Sequence, residues 1–105
     1  MKKFPKLTAT VYDKRGRVLS TGINSSIKTH PEQSRLASIA GLPLKVYLHA
    51  EIAALIRVRH GVPYRIVIER YGKQGEPRLA KPCPICELAI QQAGISRIEY
   101  TVGPT

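Results

Sequence analysis

The sequence lacks any run of 18 apolar residues, the length that a membrane-spanning helix requires. Its basic start, Met1-Lys2-Lys3, is followed by Phe4-Pro5-Lys6 rather than by the apolar core of a secretory signal. Internal repeats and low-complexity segments are also missing. These absences predict a cytoplasmic protein with no membrane span. The length of 105 residues predicts one domain with a single, rather small core.

Acidic residues are scarce. The sequence has 7 Asp and Glu residues against 17 Lys and Arg residues, which gives a formal net charge of +10 at pH 7. Such a surface attracts polyanions and phosphates over long distances. The basic residues are dispersed, however, and no aromatic RNA-binding motif or stacking series lies between them. The charge alone is therefore equally compatible with a solvated basic surface and with nucleic-acid binding.

Only two cysteines are present, Cys83 and Cys86. Their i, i+3 spacing brings both side chains onto one face of a helical turn. Pro84 suits an early helical position, which places Cys83 near the helix N-terminus, where the positive helix end favours a thiolate. Alone, the pair is compatible with a disulfide, a redox pair or half of a structural zinc site. The metal-like spacing agrees with a reducing compartment.

A third ligand type precedes the cysteines in the segment His49-Ala50-Glu51. Zinc prefers nitrogen and thiolate ligands, and a catalytic zinc site has three protein ligands and leaves the fourth position to water. The spacing of His49 and Glu51, i, i+2, does not align two side chains on a regular helix, so His49 is predicted at the helix entry. His60 lies about 16 Å further along the same predicted helix and cannot reach the site. His30 remains open as a fourth ligand.

The order H-x-E and then P-C-x-x-C is the motif of zinc deaminases. From about residue 7 to residue 102, the chain resembles the cytidine and deoxycytidylate deaminase superfamily. The segments Ala89-Ile90 and Ala93-Gly94-Ile95 are similar to the continuation after the cysteines in deoxycytidylate-type members. The resemblance implies a Zn²⁺ cofactor with His49, Cys83 and Cys86 as metal ligands.

The same resemblance implies roles for three further residues. Zinc would lower the pKa of a bound water towards ~7, giving a hydroxide that attacks the amino-bearing ring carbon. Glu51 would be the catalytic proton shuttle between this water, the ring nitrogen and the leaving amine. Gly22-Ile23-Asn24 resembles the segment by which family members contact the substrate sugar, although Asn24 after a strand is also a common turn residue. The backbone of Ala50 would contact the base.

The hydrophobic patterns predict the elements that carry these residues. Strands are expected over Leu7–Tyr12, Arg17–Thr21, Tyr64–Glu69 and Arg97–Val102, with an extended segment over Leu42–Leu48. Helices are expected over Pro31–Ala40, Ala50–Arg59 and Pro84–Ala93, the last burying Ile85, Leu88 and Ala89. The run Ile66-Val67-Ile68 suits a central parallel strand covered on both faces. We expect an α/β layered, cytidine deaminase-like fold, with a mixed sheet of about four strands and helices that carry the zinc ligands at one end.

Two departures from the family predict a homo-oligomer. Many members have a helix before the first strand and continue past the fourth strand, whereas this chain starts almost directly in a strand and stops at Thr105. The sheet is therefore expected to be less covered than usual. Ile98, Tyr100 and Val102 would form an apolar strand edge that needs a partner.

The function predicted is zinc-dependent hydrolytic deamination of a cytosine-type nucleoside or nucleotide, with deoxycytidylate favoured. A nucleotide phosphate would find a partner in Arg78 or Lys81, in the loop before Cys83. One alternative is deamination of a base within single-stranded DNA or RNA, which the net charge favours. Another is a non-catalytic zinc module that binds nucleic acid or protein. Glu51 argues against it, because a structural metal site has no use for that carboxylate.

Overall fold

The elements follow the predicted order. A computed structural model describes residues 7–25, 29–42 and 47–103, and in these ranges the protein has four strands and three helices. The strands are β1 (Leu7–Tyr12), β2 (Val18–Ile23), β3 (Arg65–Arg70) and β4 (Arg97–Tyr100). The helices are α1 (Pro31–Ile39), α2 (Ala50–Ile56) and α3 (Pro84–Gln92). The predicted α/β class is confirmed.

The strands form one mixed sheet in the order β2-β1-β3-β4. β1 is antiparallel to both of its neighbours, whereas β3 and β4 are parallel. β2, β3 and β4 therefore point in one direction, and their carboxyl ends lie at one end of the sheet. The backbone N–H of Ser25, just after β2, donates to the carbonyl oxygen of Leu48 at 2.9 Å. This bond brings the entry of α2 to the same end.

The turn between β1 and β2 is built on Asp13. Its carboxylate accepts hydrogen bonds from the backbone N–H groups of Arg15 and Arg17, both at 2.9 Å. Gly16 has a φ of 82°, in the left-handed region that glycine adopts without strain. The carboxylate and the glycine together close the turn between the two strands.

The sheet buries one face against α2. Ala9 and Val11 of β1 and Ile66 and Ile68 of β3 are fully buried there, together with Ala54 of α2. The burial of alternate residues follows from the two-residue period of a strand. A second apolar cluster joins the helices and includes Leu36 of α1, Ile52 of α2 and Ile85 of α3. α2 therefore packs on the sheet with one side and on α1 and α3 with the other.

Gly22 sets the distance between β2 and α2. A Cβ at this position would lie 2.6 Å from the carbonyl oxygen of Ala50 and 2.9 Å from the carbonyl carbon of Ala53. These are backbone atoms of α2, which cannot move away independently of the helix. The helix can thus approach the strand this closely only where the strand has no side chain.

Several predicted boundaries need correction. α2 ends at Ile56 rather than near Arg59, because the N–H of Arg57 bonds to Ala54, three residues back, and tightens the last turn. β2 extends to Ile23 instead of ending at Thr21, whereas β4 ends at Tyr100 rather than at Val102.

The predicted environments of β3 and α3 were also partly wrong. β3 pairs with an antiparallel strand on one side, and its burial alternates because the described helices pack on one face only. The prediction of a strand covered on both faces is therefore incorrect. In α3 the buried set contains Cys86 and Ile90, while Leu88 is only partly buried. Of the predicted extended segment, residues 43–46 lie outside the described residues, and Tyr47 forms a single bridge with Thr29.

β4 is an edge strand, as predicted. Ile98 and Tyr100 lie opposite Ile66 and Ile68 but are 42% and 37% exposed. Homo-oligomer formation at this edge stays a prediction, which light scattering would test. In the described part of the chain, none of the helices has both the length and the apolar character of a membrane span.

Candidate metal centre

His49 is the N-cap residue of α2, with an extended backbone (φ −83°, ψ 155°). The prediction that it sits at the helix entry is therefore confirmed. Glu51 follows in the first helical turn, and its side chain is buried, with 5% of the residue exposed. A carboxylate in the first turn of a helix is stabilised by the N–H groups that point out of that end. His49 is thus the N-cap residue, and Glu51 is a buried residue of the first turn.

Cys83 occupies the corresponding position in α3. It is the N-cap residue, also extended (φ −73°, ψ 170°), and Pro84 follows in the first turn, where its missing N–H has no cost. Cys86 lies in the same turn and is fully buried. Both cysteines are free and form no disulfide. α3 therefore presents two sulfur atoms at its N-terminal end.

The two helix entries bring three metal-ligating atoms together. Nδ1 of His49 lies 3.2 Å from Sγ of Cys86 and 3.6 Å from Sγ of Cys83. The ligand atoms of His49, Cys83 and Cys86 all lie within 4.8 Å of one another. Tetrahedral Zn–N and Zn–S bonds of about 2.0–2.3 Å would separate such atoms by roughly 3.5–3.8 Å. This group could therefore hold a metal ion.

The surroundings shift the pKa values of the two cysteines in opposite directions. A hydrogen bond from the Cys86 thiol, aided by His49, lowers the pKa of Cys83 to about 3. The pKa of Cys86 is raised, first because its thiol donates to Cys83 and second because it is buried. Without metal, the pair is thus one thiolate and one thiol. Binding a cation through both sulfurs would release the proton of Cys86.

Glu51 lies beside this group but is not part of it. Burial raises its pKa above the ordinary value, and the Cys83 thiolate raises it further against the lowering effects of its own backbone N–H and of His49. Glu51 is therefore a buried carboxyl group next to the candidate metal ligands, and it is not one of them.

The other histidines do not join the three-residue group in the described ranges. His30, which sequence alone left open as a fourth ligand, is the N-cap residue of α1, and its Nδ1 accepts a hydrogen bond from the N–H of Glu32 at 3.0 Å. His60 is exposed and lies beyond the end of α2. Within these ranges, the ligand set is one imidazole and two sulfurs.

A cavity of about 470 Å³ opens next to the three residues. Its walls combine the candidate site with the end of the sheet and the neighbouring loops. They include His49, Ala50, Glu51 and Cys83, together with Leu7, Asn24, Ser25, Tyr47, Leu48, Arg70, Leu79, Ala80 and Lys81. This volume is in the range of small-molecule sites, roughly 300–1,000 Å³. The cavity therefore has the size of a small-molecule site and lies beside the candidate metal group.

Asn24 lines this cavity at the end of β2. Its Oδ1 accepts a hydrogen bond from the N–H of Leu7 at 2.9 Å, and its own N–H donates to the Leu7 carbonyl oxygen at 3.2 Å. Gly22 and Ile23 belong to β2 rather than to a turn. The location agrees with the predicted substrate contact, whereas the contact itself stays a prediction. The same holds for Ala50, which lines the cavity as well.

Sequence reasoning missed three residues around the site. Gln33 is fully buried in α1, and its side-chain oxygen accepts a hydrogen bond from the N–H of His49 at 3.2 Å. Tyr47 and Arg70 line the cavity. Arg70 had a signal in the sequence, because it continues the alternation of Ile66 and Ile68 along β3. Gln33 had none, since its role depends on a contact between distant segments.

Of the two predicted phosphate contacts, only Lys81 lines the cavity. Arg78 instead forms an ion pair with Glu76 at 3.2 Å. This ion pair is exposed, and Arg78 does not line the cavity. The prediction for Arg78 is therefore not supported, and Arg70 takes the place that it was expected to have at the cavity wall.

No protein-family model matches the chain, and comparison with curated proteins gives no match either. The resemblance to zinc deaminases therefore depends on the two motifs and on the way the fold brings them together.

Proposed function

We propose that the protein is a zinc-dependent deaminase of a cytosine-type nucleoside or nucleotide. One observation carries the proposal: His49, Cys83 and Cys86 converge within 4.8 Å, with the buried carboxyl group of Glu51 beside them at the wall of a cavity. A structural metal site requires the ligands but not the cavity or the additional buried carboxyl group. The combination favours catalysis.

The three converging residues would hold the ion. One imidazole and two thiolates are ligands that zinc prefers, and three protein ligands leave one position of a tetrahedron open. When bound, zinc would act as a Lewis acid that makes water a nucleophile near neutral pH. The lowered pKa of Cys83 supports the ligand role, because the thiolate is the form that binds metals.

Glu51 would carry the protons of the reaction. Its carboxylate would accept one proton from the attacking water and deliver it to the ring nitrogen next to the amino-bearing carbon. It would then move the second proton of the water to the amino group, which leaves as ammonia. The products are the corresponding uracil compound and ammonia, so that the atoms of substrate and water are conserved. Burial, which raises the pKa of Glu51, favours this exchange of protons.

The remaining cavity residues would orient the substrate. The backbone of Ala50, between the metal ligand His49 and Glu51, would contact the base, and Asn24 would contact the sugar. Tyr47 is half exposed at the cavity and offers an aromatic face on which a base can stack. Holding the reacting carbon close to the nucleophile reduces the entropic part of the barrier.

The test is ammonia release from a substrate panel. Zinc-loaded protein would be incubated with cytidine, deoxycytidine, their monophosphates and short cytosine oligonucleotides, with the adenine compounds as controls. We expect ammonia and an equal amount of the uracil product from at least one cytosine compound, and neither product after removal of the metal. A zinc-loaded protein that releases no ammonia from any cytosine compound would contradict the proposal.

Deamination of a cytosine within single-stranded nucleic acid is a second candidate. The net charge of +10 favours it, as do the two basic residues, Arg70 and Lys81, at the cavity. Each phosphate contacted on a single strand contributes about −0.7 to the slope of log affinity against log salt. Oligonucleotide turnover with a steep slope, and no turnover of free nucleotides, would favour this candidate over the first.

A further inference from the structure

Arg70 is the last residue of β3 and pairs with Leu7 of β1. The alternation along β3 places it on the same face as Ile66 and Ile68, the face that the helices cover. It is partly buried and lines the same cavity as Glu51 and Cys83. Arg70 therefore lines the cavity at the carboxyl end of the strand.

Most arginines of this protein have an acidic partner. In the described ranges, carboxylates pair with Arg17, Arg35, Arg65, Arg78 and Arg97. Arg70 pairs with none of the described carboxylates, although it is one of the more buried arginines. Removing a charge from water without a partner has a cost, which an anionic ligand would offset. Because Arg70 also lines the cavity, an anion bound there can supply the pairing charge.

Lys81 adds a second cation to the cavity wall. It is exposed, lies in the loop before Cys83, and has no carboxylate partner in the described part of the chain. Among the described residues that line the cavity, only Glu51 is acidic, and it lies on the side of the metal group. The part of the cavity wall formed by Arg70 and Lys81 is therefore positively charged.

We propose that Arg70 and Lys81 form a phosphate subsite, so that the substrate carries a phosphate near the cytosine that the metal group acts on. The proposal rests on the deaminase function proposed above and narrows its substrate class from nucleosides to phosphate-bearing compounds. The planar guanidinium of Arg70 matches two phosphate oxygens, whereas Lys81 adds a flexible point charge. Free nucleotides and nucleic-acid strands both provide this chemistry.

The test measures binding rather than turnover. Zinc-loaded Glu51→Gln protein would be titrated with deoxycytidine and with deoxycytidine monophosphate, which differ only in the phosphate. We expect the monophosphate to bind at least about tenfold more tightly, and Arg70→Gln to remove most of that difference while changing deoxycytidine binding less than twofold. Lys81→Gln should have a smaller effect in the same direction. Arg70→Lys keeps the positive charge but cannot form two parallel hydrogen bonds to a phosphate. This variant should retain part of the preference for the monophosphate.

Arg59→Gln is the matched control, because Arg59 is exposed and does not line the cavity. It should leave both dissociation constants unchanged. Equal binding of the two compounds would overturn the proposal. The proposal would also be overturned if Arg70→Gln weakened the binding of both compounds to the same extent, because a general loss of the site would then explain the weaker binding.

A short oligodeoxycytidylate separates the two sources of phosphate. Much tighter binding of the oligonucleotide, with a steep salt dependence that Arg70→Gln reduces, would assign the subsite to a nucleic-acid strand. Similar affinities for the oligonucleotide and the monophosphate would assign it to a free nucleotide. Both outcomes support the subsite. An Arg70-dependent preference in a protein that deaminates nothing would reject the function alone, whereas turnover of nucleosides and nucleotides with equal efficiency and equal affinity would reject the subsite alone.

Discussion

The side-chain oxygen of Gln33 accepts a hydrogen bond from the backbone N–H of His49 at 3.2 Å. Gln33 is fully buried in α1, a helix that provides none of the candidate metal ligands. The bond fixes the N-cap residue of α2 from outside that helix. α1 therefore helps to orient the imidazole that faces the two cysteines.

Replacing Gln33 with leucine would test this role. The change keeps the approximate size but leaves the N–H of His49 without its acceptor, so we expect a loss of about 1–3 kcal/mol in the free energy of unfolding. Zinc affinity should fall by about 10–100-fold, as is typical when a supporting contact of a ligand is removed. Urea unfolding and competition with a zinc chelator measure the two effects. The control is Gln91→Leu, at an exposed position of α3; equal behaviour of the two variants would contradict the prediction.

Removal of a metal ligand should release the metal. We expect Cys86→Ala to lower the zinc content of the purified protein and its thermal midpoint, because metal binding is coupled to folding. His49→Ala and Cys83→Ala should act in the same way, whereas His60→Ala, outside the group, should not. Elemental analysis and thermal unfolding provide the measurements. An unchanged zinc content in Cys86→Ala would show that this thiol is not a ligand.

Glu51→Gln should separate catalysis from metal binding. The amide has almost the same shape as the carboxyl group but cannot shuttle protons, so we expect activity to fall by about 10²–10⁴-fold while zinc content and fold are retained. Glu87→Gln, in the first turn of α3 and exposed, is the control with the same chemical change. Steady-state rates on the best substrate of the panel measure the loss of activity. Activity within a few-fold of the parent would remove Glu51 from the mechanism.

Gly22→Ala should displace α2 and thereby weaken the candidate metal site. The new methyl group would collide with the α2 backbone, and overpacking of this kind costs about 1–3 kcal/mol. Since α2 begins next to His49, zinc affinity should fall as well. Gly72→Ala is a suitable control, because its Cβ would meet only the flexible side chain of Glu76. If both alanine variants unfold at the same denaturant concentration as the parent, α2 does not depend on the missing side chain.

The hairpin turn should lose stability in acid. Hydrogen bonds from Arg17, first from its backbone N–H and then from its guanidinium, hold the pKa of Asp13 below 3.8. The folded protein therefore binds this proton less readily than the unfolded chain, and the contribution is present above the unfolded pKa and lost as pH falls through the lower folded pKa. We expect Asp13→Asn to be less stable than the parent at pH 7, with the difference shrinking below about pH 4. Lys14→Ala should show a difference that does not change over this range.

Local chemistry predicted much of the candidate site. The i, i+2 spacing of His49 and Glu51 and the proline after Cys83 are constraints within a few residues, and both place a ligand at a helix entry as observed. Tertiary contacts decided the rest. The predicted strand ended at Thr21, before Gly22, whereas Gly22 lies in β2 and permits close packing between this strand and a helix. The pairing of Arg78 with Glu76, which left the cavity to Arg70, also required a folded loop.

The separation of the ligands along the chain has a consequence for the sheet. His49 and Cys83 are 34 residues apart, and β3 lies between them. An ion bound to both would close this segment into a ring and act as a cross-link. For a loop of this length, the lost entropy raises the free energy of the unfolded chain by about 3–4 kcal/mol on the scale used for disulfides. β3 lies inside this ring and pairs with strands on both sides. Chelation should therefore accelerate amide hydrogen exchange at Ile66 and Ile68, in the middle of the sheet.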